Sequence, residues 1–332
     1  MYYFKYFRND ANFEKTIRYN ELYFAANNSL NDPMDLWVNP LFWDDVKLWE
    51  QLITNYEIGS ICLMDYMKKT PDADFYASIN NLFRNKSLAQ VTEQYTVYQT
   101  HIMQIISKKE LATGADIKSA ASFLMDKFVH VKNTTNFISV SFSKDPFNYL
   151  MWSHYANGFK GCLLVYDFEN NKAKLKKHIL GGTEYQVTMS DVNYSNTPLQ
   201  IDLWKILSKN IINNGSYFFT KNKHWEYEKE SRLVLHSTHA SNGEIFHHHP
   251  LLVKGVIFGS RCDKSFKDKT IQALKENRKI SGIDVLLSFD TILNEKNEIE
   301  LKSGYKHNIK KSSYQPMKED VVNNWGDAFR FK

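Results

Sequence analysis

The sequence predicts an α+β protein with a mainly β core, interrupted once by a helical insertion. Three observations carry this reading. Ile138, Val140 and Phe142 alternate with Ser139, Ser141 and Ser143, the period of a strand with one apolar and one hydroxyl face. Cys162 to Phe168 is a nearly all-apolar run of strand length. Between residues 41 and 131 the apolar residues instead step by three and four, the period of amphipathic helices.

Taken in order, Tyr2 to Phe7 is β-prone, and Leu22-Tyr23-Phe24 reads as a second extended piece. The run from Asn27 through Asn31-Asp32-Pro33 is rich in turn formers. In the insertion, Phe42, Val46, Trp49 and Ile53 share a helix face. So do Leu88, Val91, Tyr95, Tyr98, Ile102 and Ile105, and then Ile117, Ala121, Leu124, Phe128 and Val131. After the serine strand, Asp145-Pro146 predicts an N-cap followed by proline in the first turn, with a helix stopping at Asn157-Gly158. Tyr185, Val187 and Met189 alternate, and Thr197-Pro198 opens a helix carrying Leu203, Leu207 and Ile211. Ser231–His236, Leu251–Phe258 and Ile283–Phe289 read as strands, and residues 264–278 as a charged helix. The organisation expected is a core of residues 1–40 and 132–300, an insertion of 41–131 placed where it could cap a cleft, and a tail of 301–332. That tail carries Lys302, Lys306, Lys310, Lys311 and Lys318 and is expected to be loosely held.

Composition narrows the class. Hydrophobic residues at 43% and charged residues at 24% are globular values. A net charge of +5 over 332 residues permits nucleic-acid contact without arguing for it. No apolar run approaches the roughly 18–20 residues that span a bilayer, so no membrane partner is expected. The opening Met1-Tyr2-Tyr3-Phe4-Lys5 lacks the pattern of a secretory signal. Cys62, Cys162 and Cys262 have neither pairing nor zinc-ligand spacing, which fits a cytoplasmic location.

The chemistry-bearing residues gather in a few places. On an extended chain, Glu226, Glu228, Glu230 and Arg232 project from one face. Three carboxylates so spaced repel one another, and one arginine opposite them sets the condition for a shifted pKa and acid/base work. The structural alternatives are a strand edge blunted by charge, or a helical turn pairing Glu228 with Arg232. In the helix before Asn157, Trp152 and Tyr155 share a face while His154 points elsewhere. The serine face is solvent-exposed by default. Consecutive His247, His248 and His249 alternate across a strand and converge poorly on one ion, so no metal is expected. P-loop, GxGxxG and GxSxG motifs are absent.

Several pieces together form a recognisable set: Lys5-Tyr6, Glu21-Leu22-Tyr23-Phe24, Asn31-Asp32-Pro33 with Asp35, Ser141-Phe142-Ser143, Leu150 to Ala156, Gly161, Trp225 to Arg232 and Ile257-Phe258-Gly259. The chain thereby resembles the bacterial domain-of-unknown-function family 2971, whose members often lie near phage-defence and abortive-infection genes. Leu30 and Met34 stand where phenylalanine is common in that family, and Ser231 where tryptophan is usual.

More distantly the order of motifs resembles ADP-ribosyltransferase-like folds, with a basic residue on a first strand, a serine strand leading into a helix, and a late Glu-x-Glu. That resemblance implies a split sheet and NAD as substrate. It makes Glu230 the carboxylate that stabilises a cationic ribose, and Glu228 the group that orients or deprotonates an acceptor, either protein or nucleic acid, or water. Lys5, Ser141, Ser143, Trp152, His154, Tyr155 and Arg232 would surround the dinucleotide. Toxin or anti-phage activity would follow. Two other readings stay open: a non-catalytic module that senses a nucleotide or phage component, and a metal-dependent nuclease-like toxin built on the acidic cluster.

Overall fold

The computed structural model describes residues 1–32, 35–36, 40–54, 62–134, 137–179, 181–197, 202–207, 218–237 and 243–329. Pro33 and Met34 near the N-terminal turn, and Pro198 and Ile211 of the expected second helix, lie outside them.

The architecture is α+β. The strands are β1 (Tyr2–Phe7), β2 (Glu21–Ala26), β3 (Phe137–Ser143), β4 (Cys162–Asp167), β5 (Lys172–His178), β6 (Gly181–Thr188), β7 (Ser190–Asp191) and β8 (Asn193–Ser195). They continue as β9 (Thr220–Asn222), β10 (Glu230–His236), β11 (Glu244–His248), β12 (Val253–Phe258), β13 (Val285–Leu293), β14 (Ile299–Asn308) and β15 (Ser313–Pro316). The large sheet runs β15-β14-β13-β12-β4-β1-β3-β2-β11-β5-β6, with β10 on the remaining edge of β3 and β8 and β9 forming a small separate pair. Among the described strands β12 with β13 and β8 with β9 pair in parallel and the others antiparallel, with one isolated parallel bridge between Leu41 and Asp202.

The all-apolar run of β4 follows from its place. It lies between β1 and β12 and is covered on both faces, so neither of its residue sets meets water. On one face Leu164 and Tyr166 join Phe13 and Ile17 of α1 (Ala11–Tyr19) and the apolar set of β3 in a single core. On the other, Leu163 and Val165 pack with Phe4, Tyr6, Trp152 and Phe329.

The insertion forms α2 (Val46–Thr54), α3 (Ala73–Phe83), α4 (Leu88–Glu93), α5 (Tyr95–Lys108) and α6 (Ala115–Thr134), around its own core of stacked aromatics such as Phe42, Trp49 and Phe83. The long stripe from Leu88 to Ile105 is thus divided between two helices, because the chain breaks at Gln94. The same core takes in Leu203 and Leu207 of α8 (Leu203–Leu207), where the Leu203 N–H also donates to the Leu41 carbonyl at 2.8 Å.

Two expectations are corrected. The helix α7 (Tyr149–Tyr155) starts at Asn148, whose side chain accepts from Met151 N, and not at Asp145-Pro146. The Pro146 carbonyl instead accepts the Trp152 indole N–H at 2.8 Å, while Asp145 caps the loop through Phe147 N. The end at Asn157-Gly158 is as expected, both residues being left-handed (φ 51° and 60°). The tail is not loose. β14 pairs with β13, β15 with β14, and α10 (Glu319–Asn323) and α11 (Trp325–Ala328) follow α9 (Lys264–Ile280) in chain order, with Phe329 fully buried. Lys302 and Lys306 are exposed on β14, a placement that protects a sheet near its edge, while Lys310, Lys311 and Lys318 lie outside the strands. No described helix is long and apolar enough to cross a membrane.

Candidate functional site

The site begins at a gap in the sheet. β10 pairs with β3 along one whole edge, from Glu230 opposite Ser143 to His236 opposite Phe137. The other edge of β3 is shared. β1 meets it only at Phe4 opposite Ser143, and β2 only at Ala25 and Ala26 opposite Ser139 and Ile138. Between these two contacts the Ser141 carbonyl accepts from Lys5 Nζ at 3.1 Å, so a side chain supplies the donor that a strand would have given. A cavity of about 240 Å³ opens at this gap. Its walls include Lys5, Ser139, Ser141, Ser143, Tyr155, Glu228 and Glu230, together with Tyr23, Asn31, Asp35 and Lys221.

Local geometry explains how Glu228 and Glu230 both face inward. The segment is not one extended run. Lys223–Glu228 forms a 3₁₀ helix, Lys229 turns left-handed (φ 44°, ψ 52°), and β10 starts at Glu230. The left-handed residue between them swings both carboxylates to one side, while Glu226 is left exposed, contrary to the expected row. Three bonds anchor this turn. Asn148 Nδ2 donates to the Tyr227 carbonyl at 2.8 Å, Ser143 Oγ donates to the Glu228 carbonyl at 2.7 Å, and Lys144 N–H donates to the Lys229 carbonyl at 3.0 Å.

Behind the cavity lies a buried ion network. Arg232, with 0% of its surface exposed, donates through Nε to Glu230 Oε1 at 2.8 Å and through Nη1 to Asp35 Oδ1 at 2.7 Å. Lys221 Nζ sits 2.7 Å from Glu228, 3.2 Å from Glu230 and 3.4 Å from Asp35, and 4.8 Å from the centre of the Trp225 ring. Tyr155 donates to Glu228 Oε1 at 2.6 Å and accepts from Asn31 Nδ2 at 3.2 Å.

The two carboxylates titrate apart. Burial alone would raise Glu230, but Arg232 and Lys221, helped by Ser141, outweigh it and hold the acid at about 2. Burial raises Glu228 above the ordinary carboxylate range, against the pull of Lys221. Burial brings the Lys5 ammonium down to about 8, opposed by Glu230. Such a site holds one permanent anion beside one carboxyl able to exchange a proton, the division of labour that acid/base chemistry needs.

The structure brings Lys5, Ser141, Ser143, Tyr155, Glu228 and Glu230 around one cavity. Within it Ser143 is spent on the turn. Arg232 stands one layer behind, touching Glu230 and not the cavity. Trp152 and His154 are not brought in. Trp152 is fully buried and stacks on Phe159 at 5.9 Å, and His154 is exposed, its Nδ1 3.3 Å from the Tyr227 hydroxyl. The serine face is buried, with Ser139 and Ser143 at 2% and 1% exposure, so the default of solvent exposure is overturned. Lys221 escaped sequence reading, since a single lysine in Thr220–Asn222 carries no pattern. Asp35 and Asn31 were visible only as parts of a motif.

One family comparison bears on this region. Residues 151–233 match the family described as Protein of unknown function (DUF2971). The matched segment runs from α7 to the start of β10 and so contains Tyr155, Lys221, Glu228, Glu230 and Arg232. Lys5, Asp35 and the serine strand lie outside it. Neither the curated proteins nor the solved structures give a match.

Proposed function

We propose that the cavity takes the nicotinamide-ribose end of NAD and breaks the bond between them. The observation that carries this reading is the adjacency of β1, β3 and β10, which sets Lys5, Ser141 and Glu230 around one opening. A split sheet with a basic residue, a serine and a late Glu-x-Glu on neighbouring strands is the arrangement that the ADP-ribosyltransferase-like resemblance implies. The volume of about 240 Å³ suits one end of a dinucleotide, with the remainder lying in the mouth, since pockets for whole drug-sized ligands run to roughly 300–1,000 Å³.

The chemistry follows from the titration states. When the C1′–N bond breaks, its electron pair leaves with nicotinamide and the ribose becomes cationic, as in glycoside cleavage. Glu230 stays an anion throughout and stabilises that cation from a buried position in the cavity wall. Glu228, with its raised pKa, receives the proton of the acceptor as the new bond to C1′ forms. Lys5 and the Ser141 edge hold the ligand, and the rings of Tyr155 and Tyr23 flank it. The acceptor is water, protein or nucleic acid, and consumption of NAD would make the chain an effector of the toxin or anti-phage type.

A second reading is favoured by one observation. Glu230 already accepts from Arg232 and Lys221, so its charge is largely matched before any ligand arrives. A nucleotide-sensing module without turnover would need no more than this. In the nuclease-like reading a divalent ion would hold the carboxylates, but here Arg232 and Lys221 already do so.

Incubation with NAD, followed by chromatography of nicotinamide, separates these readings. The transferase account expects release by wild type, a fall of about 100-fold or more in Glu228→Gln and Glu230→Gln, and indifference to a chelator. Saturable NAD binding with no nicotinamide after hours would leave only the sensing module.

A further inference from the structure

A second cavity, of about 550 Å³, lies between α9 and the strands β13 to β15. In strand order β12 and β4 separate it from β1 and the first site. Its two walls differ in chemistry. Lys264, Lys267 and Lys275 line it from α9, on one helix face, with Asp268 as the single carboxylate that this helix adds to the lining. Lys267 is matched by Asp290 at 2.6 Å. Lys264 and Lys275 have no carboxylate partner among the described residues.

The opposite wall is aromatic and polar. Tyr314 projects from β15 with 64% of its surface exposed, its ring 6.0 Å from that of Tyr305 and 6.0 Å from that of His307. An aromatic left in water on a cavity wall contributes little to the core and offers a flat stacking surface. His307 is 5% exposed; its Nε2 lies 2.8 Å from Ser288 Oγ, and its Nδ1 has no partner among the described residues. Buried polar nitrogens are almost always paired, so an open one on a cavity wall marks a place for a ligand group or an ordered water.

We infer that this cavity is a binding site for a mononucleotide, with the phosphate on Lys275 and the base against Tyr314, and with Lys264, about three helical turns away, adding long-range attraction. Two free ammonium groups supply the attraction for a dianion, and it weakens as salt rises. His307 is neutral at pH 7, because burial, with Lys275 nearby, brings it down to about 4; it therefore acts through hydrogen bonding and not charge. The inference does not depend on the reading of the first cavity.

Calorimetric titration of the full chain with AMP tests it, with adenosine and inorganic phosphate as separate probes. AMP is expected to bind saturably and more tightly than either half. Lys264→Ala/Lys275→Ala and Tyr314→Ala should each weaken it by about tenfold or more, while Glu228→Gln leaves it unchanged. Lys264 and Tyr314 are exposed and Lys275 is half-buried, and unfolding midpoints at the wild-type value check that the variants fold. The site is refuted if AMP gives no saturable heat, if the Glu228 variant and not the lysine variant abolishes it, or if inorganic phosphate binds as tightly as AMP.

Discussion

Glu228 and Glu230 lie two residues apart, and removing their charges should have unequal consequences. Glu230 is held at about 2 in the fold against an ordinary 4.5. A depressed acid stabilises the fold fully above its unfolded pKa, and that contribution is lost as pH falls from about 4.5 to about 2. Integrated, it amounts to about 3 kcal/mol. Glu228 is raised, so its contribution has the opposite sign: it is present below the ordinary value and lost as pH rises through the folded one. Glu230→Gln leaves Arg232 facing Asp35 alone in a dry interior and is expected to cost about 3–5 kcal/mol in urea unfolding at pH 7. Glu228→Gln still accepts from Tyr155 and should cost far less, and it is the cleaner probe of activity. Equal unfolding midpoints for the two variants would show that the network does not distinguish them. This pair was legible in the sequence as an acidic row opposite an arginine. Lys221 was not, because its meaning comes only from three carboxylates that reach it across separate parts of the chain.

Elements show where local rules suffice and where tertiary contacts override them. The strand at 137–143 and the stop of α7 are readable because side-chain alternation and left-handed Asn-Gly residues are local properties. The start of α7 was misplaced because Asp145 and Asn148 both suit a cap, and contacts decide between them: the Asn148 amide also reaches the Tyr227 carbonyl at 2.8 Å. That dual bond gives a separable prediction. Asn148→Ala removes both cap and tether and should lower stability by about 1–2 kcal/mol. Asn148→Asp keeps an acceptor for Met151 N–H but sets an anion against the Tyr227 carbonyl, so it should retain most of the stability while NAD binding weakens. Unfolding curves and NAD titration on the same samples test this; parallel losses in both variants would reduce Asn148 to a cap. The tail was misjudged for a related reason. Counting lysines registers charge but not the pairing of β14 with β13, which buries Ile299, Gly304 and His307.

At the scale of the whole molecule the helical block is a neighbour of the site without being its lid. No described residue of 41–131 lines the first cavity, which removes the expectation of a cap from that segment. Leu203 nevertheless joins the block: it is fully buried in the helical core and its N–H donates to the Leu41 carbonyl at 2.8 Å, while Lys221, later in the sequence, lies among the three carboxylates. No sequence period could show this, since α8 is 5 residues long and the backbone partner of Leu203 is Leu41, more than a hundred residues earlier. If packing at Leu203 bears on Lys221, mutations at the two residues must interact. Leu203→Ala should cost about 2–5 kcal/mol by leaving a cavity in the helical core. Lys221→Met should raise the Glu228 pKa further by removing its cationic partner. In a double-mutant cycle on stability, residues this far apart with no shared element add within about 0.3–0.5 kcal/mol. A coupling above about 0.5 kcal/mol would show packing in the helical block bearing on the charge balance of the cavity, whereas strict additivity would make the block an independent unit that merely shares the chain.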